Sequence, residues 1–150
     1  MNLTLREWLD NGWLVEHKTS PEEIANLLGL ADRDLANCRV LGLSSDWLLT
    51  IAYNAALQVS TAALAAVGCR ATRDAHHYRI IQSLVYTIGA DPSLVLQLDQ
   101  FRKKRNVSAY DRAGAVSERE AKEMITLANR MRQDVRDWLQ AKHPELMKDK

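Results

Sequence analysis

A chain of 150 residues in which 20 lysines and arginines face 19 acids has a net charge of +1. That balance excludes a globally basic nucleic-acid coat, so any such role must come from a local patch, here Arg102 to Arg105 with Arg112. One domain of this length buries enough apolar surface to fold without a metal or disulfide, and three prolines and six glycines leave a helical composition.

Cys38 and Cys69 have neither CxxC spacing nor a histidine in ligand register, so they are expected as buried, reduced core residues, and no cofactor is expected. The first residues, MNLTLREWLDNGWLVEHK, have neither a basic leader nor an unbroken apolar run, so the expected location is cytoplasmic. Trp47 to Val67 approaches membrane-spanning length. It carries Thr50, Asn54, Gln58, Ser60 and Thr61, which are costly in lipid, so no membrane span is expected.

In chain order, a short helix is predicted around Leu5 to Leu14, with Leu5, Trp8 and Leu9 as its apolar edge. Ser20-Pro21-Glu22-Glu23 supplies an N-cap, a proline at the first helical position and a glutamate at the third, which starts a helix to about Val40. Ser45 is expected to cap a long central helix to about Val67, stopped by Gly68. This helix is apolar on nearly all faces. Tyr53, Asn54 and Gln58 are the exceptions, and Asn54 is expected to bond a backbone carbonyl, the site helix or a second copy.

A helix near Asp74 to Ile88 follows, with Tyr78, Ile81, Leu84, Val85 and Ile88 spaced for burial and Gly89 as its stop. His76 and His77 open it. Adjacent helical positions diverge by about 100°, so the two cannot chelate one metal unaided, and no metal site is expected. Asp91-Pro92 starts a helix that frays near Ala109 to Asp111, and 112–116 is a short connection. Ser117 to Glu120 is a second capping box, launching a last helix to about Ala141. The tail from His143 to Lys150 is expected to be disordered. There is no internal repeat, Gly-rich phosphate loop, GxSxG or HExxH. The predicted fold is all-α: one domain, an up-and-down bundle of four main helices plus a short N-terminal helix, with the site helix third of the four.

The candidate site is the stretch FRKKRNVSAYD, Phe101 to Asp111. Helical spacing puts Leu94, Leu98, Phe101, Arg105 and Ser108 on one stripe, so a guanidinium stands where a core residue was due. Arg102, Asn106 and Tyr110 form the neighbouring row, while Lys103 and Lys104 point away. Two roles stay open. The guanidiniums with Asn106 and Tyr110 line a polar groove suited to phosphate, or they snorkel at the core rim and complement the helix dipole.

R-N-x-x-x-Y-D at Arg105 to Asp111, with Arg102 one turn earlier, resembles the signature helix of the HEPN superfamily, as do the helix order, the segment Tyr53 to Leu57 and the His76-His77 pair. Many HEPN members carry R-N-x-x-x-H, whose arginine and histidine form a metal-independent ribonuclease site across a homodimer. The resemblance therefore implies a homodimer that takes RNA or a nucleotide, with Arg102 and Arg105 on phosphate and Arg105, Asn106 and Tyr110 as catalytic candidates. Asn54, Asp111 and His77 are supporting ones. Tyr110 replaces the family's histidine. An unperturbed phenol titrates near ~10, so a binding groove carries over more readily than proton exchange does, and His77 is a candidate to supply the missing imidazole. The alternatives are a non-catalytic module that binds nucleotide, RNA or a protein partner encoded nearby, and a helix lock in which Arg105 pairs Asp46 or Asp111.

Overall fold

In the computed structural model, which describes residues 2–107 and 113–147, six helices pack together: α1 (Leu3–Asp10), α2 (Pro21–Asn37), α3 (Ser45–Ala66), α4 (His76–Ser83), α5 (Pro92–Asn106) and α6 (Glu118–Lys142). Two short strands, β1 (Leu14–Glu16) and β2 (Cys69–Ala71), pair antiparallel with Leu14 opposite Ala71 and Glu16 opposite Cys69. The expected helical character is present; six helices in place of four main ones and a short one, together with the sheet, correct the prediction.

Local chemistry sets most of the boundaries. Ser20 Oγ accepts from the Glu23 amide with Pro21 in the first turn, and Asp91 Oδ1 accepts from the Ser93 amide ahead of Pro92. At the start of α6 the Ser117 hydroxyl and the Glu120 carboxylate each accept from the other's backbone amide. The cap of α3 is Ser44 rather than Ser45, and α2 stops at Asn37 rather than near Val40. The first helix starts earlier and ends sooner than predicted because Asn2 Oδ1 accepts from the Thr4 and Leu5 amides and Gly12 turns the chain at φ 76°. Leu14 is thereby released into β1.

Helix α3 is the axis of the fold, packing most extensively on α6 and α2. Its alanines 52, 55, 56, 62 and 63 are essentially inaccessible and let the neighbouring backbones approach closely. It is long and apolar enough to cross a membrane by length and composition, and most of that apolar stretch is buried within the fold. Leu98, Met124, Met131, Val135 and Leu139 complete the main core around it. A smaller core lies under the sheet, made by Leu5, Leu14, Leu64, Cys69, Ala71 and Ile80. Cys69 is buried and Cys38 half-buried, and both are free thiols.

Between these two cores sits α4. Ile80 points into the small core, while Ile81 and Leu84 enter the main one. Burial of a side chain of this size stabilises by roughly 1.5–3 kcal/mol, so α4 is anchored from both sides despite its eight residues. It ends at Ser83, not Ile88. There the Ser83 hydroxyl donates to the Ile80 carbonyl, and the following amides shift to three-residue bonds, Leu84 to Ile81 and Tyr86 to Ser83. Tyr86 is used outside the helix, edge-on to Trp8 with ring centroids 5.6 Å apart. Tyr78, expected to be buried, is 42% exposed.

The tail expected to be disordered from His143 is ordered over Pro144–Met147, a single 3-10 turn. Leu146 and Met147 rest on the main core beside Ile24 and Leu28, and that apolar contact explains the order.

Candidate functional site

The site is built where the start of α4 meets the C-terminal half of α5. Gly68, at φ 83°, lets the chain leave α3 and enter β2. The Thr72 amide and hydroxyl then donate to the Trp13 carbonyl, and the Arg79 guanidinium lies 3.7 Å from the centre of the Trp13 ring. The sheet thus fixes the entry to α4. The next turn carries Ala75 at φ 50°, ψ 39°, a left-handed conformation with no side-chain cap. An alanine pays of order 1 kcal/mol for that geometry. Its effect is to present both histidines at the mouth of the groove.

His76 Nδ1 donates to the Thr72 carbonyl at 3.1 Å. His77 turns inward, its Nδ1 3.4 Å from the hydroxyl of Tyr53 on α3. The two imidazole rings are 5.8 Å apart. Burial, then the neighbouring His76, Arg105 and Arg102, hold His77 below the usual imidazole pKa, favouring its neutral form. Tyr53 is fully buried, and burial pushes its phenol up to about 12 against the opposing pull of Arg102 and Arg105. Its hydroxyl therefore keeps its proton.

From α5, Arg102 Nε donates to Asp99 at 2.7 Å while its guanidinium lies 5.6 Å from the Tyr78 ring centre. Asp99 is one of few buried acids and also lies 3.8 Å from Lys103 Nζ. Arg105 sits over Tyr53, 5.7 Å from its ring centre, and donates to Asn106 Oδ1 at 3.4 Å. Ala75, His76, His77, Tyr78, Arg102 and Asn106 line one open depression of about 450 Å³. Arg102 is the one guanidinium among these residues, and it stands with the donors of Asn106 and the two histidines in a wall that is otherwise mostly apolar, a donor set that suits an anion.

The predicted row of Arg102 and Asn106 is thus brought together, and His77 joins it from another helix. Arg105 borders the depression through Asn106 and Tyr53 instead of lining it. Asn54 is half-buried on α3, and no side-chain hydrogen bond ties it to α5 among the described residues. Lys104, expected to point away, reaches Glu120 on α6 at 3.3 Å. Asp46 accepts from the Gly114 and Val116 amides at 2.7 and 3.3 Å, tying the segment after α5 to the start of α3. Tyr110 and Asp111 lie outside the described residues.

His76 and Tyr78 are the lining residues that the helix motif could not reveal. The available signal was the HHY triplet itself, three polar-capable rings opening a helix. Among the described residues no three histidines, cysteines or acids are grouped to hold a metal ion. No protein-family model matches the chain, and no curated protein matches it in sequence.

Proposed function

We propose that this chain is a HEPN-like helical domain, an up-and-down bundle working as a homodimer, whose α4–α5 depression takes the phosphate of single-stranded RNA. The observation that carries this reading is the convergence of His76 and His77 with Arg102 and Asn106 on one open depression. Arg102 is oriented by Asp99 and Tyr78, so its remaining donors are pre-positioned for a phosphate oxygen. Asn106 Oδ1 is taken by Arg105, which leaves its amide NH2 for the same anion. In this reading Arg105 adds charge behind the groove and Tyr110 positions a ribose hydroxyl.

The homodimer has separate support. Val40 and Leu41 in the connection before α3 and Trp47 in its first turn are 55%, 95% and 61% exposed, large apolar side chains of the sort that associate. Trp47→Glu is then expected to leave a monomer in light scattering at concentrations where wild type is dimeric. A wild type that is monomeric throughout contradicts that half of the proposal.

The test of the groove is fluorescence anisotropy of a labelled single-stranded RNA in chelator, with gel analysis of cleavage on the same samples. Arg102→Gln is expected to weaken binding about tenfold or more, and Arg105→Ala to lower any cleavage. Binding equal in wild type and Arg102→Gln contradicts the assignment. A second reading has its own observation: Arg102 is charge-matched by Asp99 and Asp46 fastens the loop after α5. These contacts suit a non-catalytic binding or protein-interaction module in which the motif locks the helix end.

A further inference from the structure

We infer that His77 and His76 are the proton acceptor and proton donor for cleavage of single-stranded RNA in this depression, supplying from α4 the imidazoles that α5 lacks at Tyr110. The inference rests on the phosphate-groove reading above and adds the chemistry to it. Two imidazoles with ring centres 5.8 Å apart, both lining a depression with a guanidinium and an amide, can serve opposite sides of one phosphodiester.

Their settings differ, His77 lying against the buried Tyr53 and His76 against the backbone at the head of α4. The Thr72 carbonyl can only accept, so His76 Nδ1 carries a proton and Nε2 is the nitrogen left to exchange one with the RNA. The partner of His77 is the Tyr53 hydroxyl, which can donate to or accept from Nδ1, and in the tautomer in which it accepts, Nε2 keeps a free lone pair for the ribose proton. The groups facing His77 are Tyr53 from α3, His76 from α4, and Arg102 and Arg105 from α5, with Asp99 behind Arg102. Their net effect, together with burial, keeps His77 neutral.

The step balances without a metal or co-reactant. The ribose 2′-oxygen bonds to phosphorus as the bond from phosphorus to the 5′-oxygen breaks. The 2′-hydroxyl proton passes to His77 Nε2, and the leaving 5′-oxygen takes a proton from His76 Nε2. The products are a 2′,3′-cyclic phosphate and a 5′-hydroxyl end. Arg102 and Asn106 stabilise the charge on the non-bridging oxygens.

The experiment uses the full chain with a labelled single-stranded RNA in chelator, cleavage being read by gel and product ends by mass spectrometry. Binding is measured separately on the 2′-O-methyl form, which cannot react. His77→Gln and His76→Gln, checked for folding by circular dichroism, are each expected to cut the rate by about 10²- to 10⁴-fold while affinity changes less than threefold. The fall in the wild-type rate toward acid pH should be lost in His77→Gln. Binding without cleavage by wild type, or cleavage by either variant at the wild-type rate and profile, overturns the inference and leaves the groove standing. No binding by wild type overturns both.

Discussion

Two places in this molecule gather two cations around one aspartate, and they are built differently. On the far side of the bundle, Asp32 of α2 takes Arg132 and Arg136 of α6, one on each carboxylate oxygen, so that a single acid ties two long helices together. At the α4–α5 site, Asp99 holds Arg102 one turn along its own helix, a bond that joins no two elements. Asp32 is 39% exposed, whereas Asp99 is 9% exposed. The first arrangement is a clamp. The second spends a buried acid on orienting a guanidinium beside two imidazoles, an expense that packing does not explain. Under the proposed function, the difference is that between a cation placed for stability and a cation placed for a ligand.

The comparison can be broken most forcefully at Asp99. Asp99→Ala removes a buried carboxylate and leaves Arg102 uncompensated, a change expected to cost about 3 kcal/mol in urea unfolding. A loss below about 1 kcal/mol would mean that Arg102 simply swings into water and was never fixed. Next in size is a contrast of arginines. Arg102→Gln is expected to lower the slope of log affinity for single-stranded RNA against log salt by about 0.7, whereas Arg132→Gln leaves that slope unchanged. Equal slopes in the two variants would erase the distinction between clamp and site.

Acid titration sharpens the other half. Burial pushes the Asp32 carboxyl upward, but the Arg132 hydrogen bond and the charges of Arg136 and Arg132 prevail and hold it below its ordinary value. Because the folded-state pKa is the lower one, Asp32 contributes stability above the unfolded value near 3.8, and the contribution is lost as pH falls through the folded pKa. Asp32→Asn should therefore cost about 1 kcal/mol at neutral pH, discounted for exposure. The gap from wild type should close below about pH 4. A gap constant down to pH 2 would show that the charge is irrelevant. The smallest effect is expected at Ala75, where glycine fits the left-handed turn without the penalty. Ala75→Gly should raise stability by up to about 1 kcal/mol, and a loss of that size would show the turn is unstrained.

The sequence made the helix starts readable because capping is local: Ser20 before Pro21, Asp91 before Pro92, and the reciprocal Ser117–Glu120 box each lie within four residues. It hid the sheet. Strands of three residues drawn from either side of α2 and α3 have no periodicity of their own and exist because Leu14 and Cys69 bury together with Leu5 and Ile80. Half of the site was legible for the same reason as the caps, since Arg102 and Asn106 are one helical turn apart. His76 was not, because its place beside Arg102 depends on the sheet, the left-handed Ala75 and the two-sided anchoring of α4, all of which are tertiary.

The four histidines provide the most direct test of the phosphate site. His17 pairs Glu23 and His143 pairs Glu145, so both serve as internal references for His76 and His77. Histidine-selective NMR during titration with a short single-stranded RNA should move the ring signals of His76 and His77 saturably while those of His17 and His143 stay still, and Arg102→Gln should weaken the response. Signals that all stay still, or that all drift together, would contradict a phosphate site between α4 and α5.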